Sequence, residues 1–142
     1  MKSLLVLAAA AAVLVLAAPG ESLAQRAMGG GYGGRYDPQT VETVSGEVLS
    51  VEKVSYGRGR YYGIHLILKT SEGELSVHLG PSWFVDRQTM KLEAHDAIEV
   101  TGSRVTYRGK PALIAAEVRK GNDTLRLRTA EGLPLWRGSR AR

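Results

Sequence analysis

From Val41 onward the chain alternates apolar and polar residues in short runs separated by turn-formers, the period-2 signature of half-buried strands. "VETVSGEVLSVEKV" predicts a long first strand, and Gly46 inside it predicts a bulge or sharp bend. "YYGIHLILKT" and "ELSVHLG" predict a second and third strand, joined at Ser71-Glu72-Gly73. "GPSWFVDRQTMKLEAHD" then breaks the alternation. Pro81 suits the first turn of a short helix, with Trp83, Phe84 and Val85 turned to the core and Trp83 plugging the bottom of the structure. "DAIEVTGSRVTY" and "PALIAAEVRK" predict two more strands around an Arg108-Gly109-Lys110 turn, with Gly102 marking a bend. "GNDTLRLRTAEGLPLW" predicts a closing hairpin, and Leu133, Leu135 and Trp136 are expected to clip it to the rest.

Three strands, a short helix and two strands, with a long bent first strand, is the element order of an OB-fold. The sequence therefore predicts an all-β fold: a five-stranded Greek-key OB barrel with a short helix between strands 3 and 4 and a C-terminal β-hairpin extension. The barrel spans 41–120, the hairpin 121–136 and a basic tail 137–142. Upstream, "QRAMGGGYGGRYDPQT" has almost no aliphatic residues and predicts a flexible Gly-rich linker over 25–40. Residues 1–24 carry Lys2, an uncharged apolar run from Leu4 to Ala18, a Pro19-Gly20 break and Ser22-Leu23-Ala24. This pattern predicts a signal peptide cleaved after Ala24, a periplasmic or secreted location and no transmembrane span in the mature chain.

Composition narrows the chemistry. The 142 residues suffice for one modest domain. Without cysteine there is no disulfide, thiolate metal site, cysteine nucleophile or lipobox. Nineteen Lys and Arg against 14 Asp and Glu give a net charge of +5, which permits nucleic acid, acidic glycans or anionic surfaces as partners.

In an OB-fold the ligand lies across the outer face of strands two and three, between the loop joining strands one and two and the loop joining strands four and five. The first loop holds Tyr56, Arg58, Arg60 and Tyr61; the second holds Tyr107, Arg108 and Lys110. Each offers aromatic rings for stacking and cations for phosphates or carboxylates. With Glu72-Gly73 as turn residues, Ile67 should face His78 and His65 should face Gly80. Ile64, Leu66, Leu68, Leu75, Val77 and Leu79 then line the barrel, and Tyr62 falls on the same side. Tyr61, His65, Ile67, Lys69, Ser76 and His78 make an outward, mixed face. Lys69 joins the candidate ligand-binding set on this basis.

His65 and His78 are two imidazoles where a structural zinc site needs four ligands, so they remain weak metal candidates, and no metal or other cofactor is expected. No nucleophile elbow, His-Glu-x-x-His motif or Walker loop occurs, and "GRGRYYG" precedes a strand and lacks the dinucleotide glycine spacing. No enzymatic activity is expected. "VSGEVLSVE", "HLGPSWFV", "IEVTGSRV", "GKPALIAAEVRKG" and "LPLW" resemble small exported bacterial OB-fold (BOF) proteins, a family sometimes labelled DNA-binding. That resemblance, over about Val41 to Trp136, implies an OB-type barrel and carries no catalytic residue. The function expected is an exported binding module for an anionic ligand. The alternatives are an envelope accessory protein acting by protein–protein contact through a sheet edge or the terminal hairpin, and metal binding through the histidines.

Overall fold

The computed structural model describes residues 35–137; the expected signal peptide and tail residues 138–142 lie outside them, as does the linker up to residue 34. The described chain is all-β. Its strands are β1 (Val41–Tyr56), β2 (Tyr61–Thr70), β3 (Gly73–Pro81), β4 (Ala97–Tyr107), β5 (Lys110–Lys120) and β6 (Asp123–Arg126), and one short helix, α1 (Ser82–Val85), follows β3. The sheet order is β3-β2-β1-β4-β5-β6, and a parallel β3–β5 pairing closes the first five strands into the OB barrel.

The long β1 belongs to both halves of the barrel. Residues 41–47 pair with β4, and residues 47–56 pair with β2. The bend between the halves is a bulge at Leu49, where the β2 register slips between Val48 and Ser50. It falls three residues after the expected Gly46. Gly46 instead lies where a Cβ would meet the Leu68 side chain at 2.8 Å, so it permits close strand approach. At the Gly102 bend, β5 carries the extra residue, Ala116.

Val48, Leu66, Leu68, Val77, Leu79, Val100, Leu113 and Val118 form the barrel core, with Leu127 added from beyond β6. The expected aliphatic barrel-facing residues of β2 and β3, Ile64, Leu66, Leu68, Leu75, Val77 and Leu79, are in place. Their register differs from expectation by two: His65 pairs with His78, and Ile67 with Ser76. The cause is local. The Thr70 hydroxyl accepts from the Glu72 amide (3.1 Å) and donates to the Gly73 carbonyl (2.7 Å), which makes Ser71-Glu72 the turn. A slip of two leaves every side chain on its own face.

Tyr62 does not reach the core. It is 44 % exposed, with the Lys53 ammonium 5.2 Å from its ring centre, because the tip of the β1–β2 hairpin projects past the barrel. Phe84 and Val85 pack on the core, but the tryptophan that does so is Trp136. Trp83 instead sits edge-on to Phe84 with the Arg87 guanidinium over it. The last residues of the expected linker are fixed as well. Asp37 caps a 3-10 turn at Pro38–Thr40, the Asp37 amide donates to the Ser103 hydroxyl at 3.0 Å, and Arg35 donates to the Thr106 carbonyl at 3.3 Å.

The β3–β5 seam holds only three residue pairs, Ser76–Ala112, Val77–Leu113 and His78–Ile114. The next rung would join Leu79 to Ala115. There the buried Arg128 guanidinium intervenes, donating from one nitrogen to the Leu79 carbonyl (3.2 Å) and to the Ala115 carbonyl. Alternation from Leu125 and Leu127 would point Arg128 outward. The chain instead turns back through Thr129–Leu133 bonding, bridges Arg128 to Pro134, and lays the Trp136 ring over the guanidinium at 4.8 Å. Removing the guanidinium strands two buried carbonyls, each costing about 1 to 3 kcal/mol. Arg128→Met should therefore lower unfolding free energy by about 2 to 4 kcal/mol in urea titrations, whereas Arg126→Met, on the exposed side of β6, should change it by less than about 0.5 kcal/mol.

Candidate ligand-binding cleft

The two loops expected to bind ligand are tight turns, and both hold arginine in a backbone region that disfavours it. Gly57, Arg58 and Gly59 all have positive φ (60°, 57° and 80°), between the paired Tyr56 and Tyr61. Arg108 (50°) and Gly109 (77°) form the two-residue connection between the paired Tyr107 and Lys110. Positive φ at both central residues suits the twist of a hairpin and is normally met by Asn-Gly or Gly-Gly. An arginine there costs roughly 1 kcal/mol. Such strain, held by surrounding structure, gathers where a side chain is needed in a given direction.

Between these loops, on the outer face of β2 and β3, lies a cleft of about 560 Å³. Tyr56, Gly57 and Tyr61 form one wall, with the two tyrosine rings stacked at 5.8 Å. Tyr107, Val105 and Arg35 form the other; Gly63, His78, Gly80, Pro81 and Ile114 form the floor, and Trp136 closes one end. Trp136 can lie there because residue 80 is glycine: φ is 150°, and a Cβ would stand 2.8 Å from the indole ring. Among the described residues no acidic side chain lines the cleft.

The structure thus brings Tyr56, Tyr61 and Tyr107 into the walls. It leaves Arg58, Arg60, Arg108 and Lys110 exposed on the bounding loops, with the Arg108 guanidinium 5.3 Å from the Tyr107 ring centre. Lys69 is not part of this group. It sits at the far end of β2, opposite Glu47 and Glu74 and roughly 26 Å along the strand from Tyr61.

His65 and His78 depart most from expectation. The outer face they share is not open to solvent: they are 4 % and 2 % exposed. Directly paired across β2 and β3, their rings stack 3.8 Å apart at 7°, and Tyr107 meets both edge-on. Burial, aided by the Arg108 charge, pushes His65 down to about 4. Burial, followed by the charges of His65, Arg128 and Arg35, pushes His78 down to about 3. Both are neutral at pH 7. Among the described residues no group of three or more His, Asp or Glu converges as a metal site. Sequence reasoning missed Arg35, treated as linker, and Trp136 as a cleft wall. Glycine at position 80 on the outward face was the one local sign that something packs there.

A closed barrel with aromatic and basic loops flanking one cleft defines the class: an OB-fold domain in which residues just before β1 and after β6 partly roof the outer face of β2 and β3. The chain belongs to the MamS/MamX magnetosome protein family, whose sequence profile matches residues 40–125. The OB-type barrel implied by the resemblance to BOF proteins is present, but the family is MamS/MamX, not BOF. Among solved structures, the chain is similar to the dimeric N-terminal domain of PriB protein from Thermoanaerobacter tencongensis, with 18 % identity and a TM-score of 0.42 over 60 % of this chain and 99 % of that one. No curated protein sequence gives a significant match. Among the described residues no helix is long and apolar enough to cross a membrane.

Two outcomes are expected. The fold holds both histidines neutral, whereas the unfolded chain protonates them near pH 6.5. Stability should be full above that pH and fall progressively as pH drops towards 3 to 4. The urea midpoint at pH 5.0 should lie below that at pH 7.5, and a His65→Gln/His78→Gln variant should show a smaller difference between the two. Separately, Arg108→Gly relieves the backbone strain and should raise unfolding free energy by up to about 1 kcal/mol.

Proposed function

We propose that this protein is an exported, non-enzymatic binding module that holds an anionic ligand in the cleft between its two arginine- and tyrosine-bearing loops. One observation carries the reading: both loops predicted to bind stand on either side of a single cleft that no acidic side chain lines. The left-handed arginines support it, because a turn built only for stability would place Asn or Gly at position 108. The apparent leader at residues 1–24 supports export to the periplasm or beyond. Membership in a magnetosome protein family supports a role connected with that structure. The ligand class is polyanionic: nucleic acid, an acidic glycan or an anionic surface.

A second reading, docking of an envelope protein on the C-terminal segment, has one supporting feature. Leu133 and Leu135 are exposed beside the buried-facing Trp136 (53 % and 40 %). Most of that segment is engaged in closing the barrel through Arg128 and Trp136, which favours the cleft as the binding face.

The test is a heparin and single-stranded oligonucleotide titration at two salt concentrations. Affinity should fall with salt in proportion to the phosphates or sulfates neutralised. Arg58→Ala/Arg60→Ala/Arg108→Gly should weaken binding by at least tenfold at low salt without loss of stability. Lys69→Ala, a charge removed from the remote end of β2, should leave binding unchanged. An equal loss in log affinity per charge removed in the two variants would mean that net charge binds the ligand and that the cleft does not.

A further inference from the structure

The cleft is not built like a groove for a bare charged chain. Its loop cations stand outside, at the mouth, while its interior is ring and hydrocarbon. A phosphate or sulfate drawn into such a space would lose hydration with few donors to replace it. A flat apolar group would not. At about 560 Å³ the cavity is the size of a small-molecule site, and rings dominate its lining: Tyr56, Tyr61, Tyr107, Trp136 and His78. Gly63 adds a floor without a side chain, onto which a planar group can settle directly.

The polar features favour one kind of substituent on that ring. Arg35 is the charged side chain that lines the cavity, and it is positioned from outside the barrel by its bond to the Thr106 carbonyl. Arg108 acts on His65, and Arg128 and Arg35 act on His78, as positive charges that add to burial, the larger cause, in keeping the two rings unprotonated. A potential that resists protonation of an imidazole stabilises an anion at the same place.

We infer that the cavity binds a planar aromatic ring bearing an anionic group at its edge, the ring lying among Tyr56, Tyr61, Tyr107 and Trp136 and the anion meeting Arg35 at the mouth. This rests on the cleft being the binding face, and adds that the ring, rather than a run of charges, is what the interior selects. Two sources share this chemistry, simple aromatic carboxylates and nucleotides, the latter either free or as one base of a strand whose phosphates run along Arg58, Arg60 and Arg108. Stacking on such rings is worth about 1 to 3 kcal/mol per base, which is enough to fix a register within a polyanion.

The experiment titrates the purified protein with 2-naphthoate, AMP, 2-naphthylmethanol and cyclohexanecarboxylate, with heparin in parallel, following the Trp136 indole and the His65 and His78 ring signals by NMR. 2-Naphthoate or AMP should shift these signals, and the uncharged naphthylmethanol and the non-aromatic carboxylate should bind at least tenfold more weakly. Tighter binding of AMP than of 2-naphthoate assigns the site to nucleotides, and the reverse order to aromatic carboxylates; either supports the inference. Arg35→Gln, a change at a partly exposed residue outside the barrel, should weaken the aromatic anion about tenfold and leave naphthylmethanol unchanged. Tyr56→Leu should weaken both. If heparin shifts the loop signals while neither aromatic anion moves Trp136 or the histidines, the ring pocket is wrong and the anionic-ligand reading stands. If nothing moves any of them, both fail. Equal affinity of the aromatic anion and its uncharged analogue also overturns the inference.

Discussion

A barrel of five strands must close somewhere, and here a buried guanidinium extends a closure of only three residue pairs. The β3–β5 pairing ends after His78 and Ile114, where both strands leave the ladder: β3 at the Leu79 bulge, β5 at the Ala116 bulge. Their carbonyls at Leu79 and Ala115 face a buried gap, and Arg128 fills it with a donor to each. An apolar side chain would leave those carbonyls without this donor. Trp136 stacks over the guanidinium and reaches Gly80 and Phe84, so the segment after β6 is part of the barrel wall.

The same residues shape the cleft. Trp136 closes one end because Arg128 and Gly80 seat it, and Arg35 stands at another edge because residues 35–40 are pinned to β4 through Ser103 and Thr106. The outer face of β2 and β3 is therefore a half-open cleft, where those two strands alone would give an open sheet. His78 is part of the cleft floor, and His65 stacks against His78 outside the cleft lining.

The barrel was legible in the sequence because its information is local. Turn residues and period-2 alternation suffice to place five strands, and a face is robust to a register error of two, as Thr70 shows by moving the β2–β3 turn without turning any side chain around. The two loops were legible for the same reason: each is bounded by adjacent strands. What alternation cannot show is which outward residues a distant segment will cover. His65 and His78 lie on the polar face by parity and become buried through β5 and Tyr107. Tyr62 is the reverse case, with core parity but placed beyond the end of the barrel. Arg128 carries the most structural weight and gives no local sign of it, since its partners lie 49 and 13 residues away.

Barrel closure and the cleft are thereby linked through one electrostatic arrangement. Burial first, then the charges of His65, Arg128 and Arg35, disfavour protonation of His78. The His78 imidazole therefore contributes a neutral surface to the floor, while the surrounding arginines keep the potential positive. Were the histidines charged, their stack would repel at 3.8 Å and the floor would part. Were Arg128 replaced by an apolar residue, the floor would lose a source of positive potential and the wall its seated tryptophan. A cleft that combines apolar rings with a positive field needs cations that are near its surface but do not occupy it. This fold provides them by placing one under the floor as a structural bolt and the others on strained turns at the mouth.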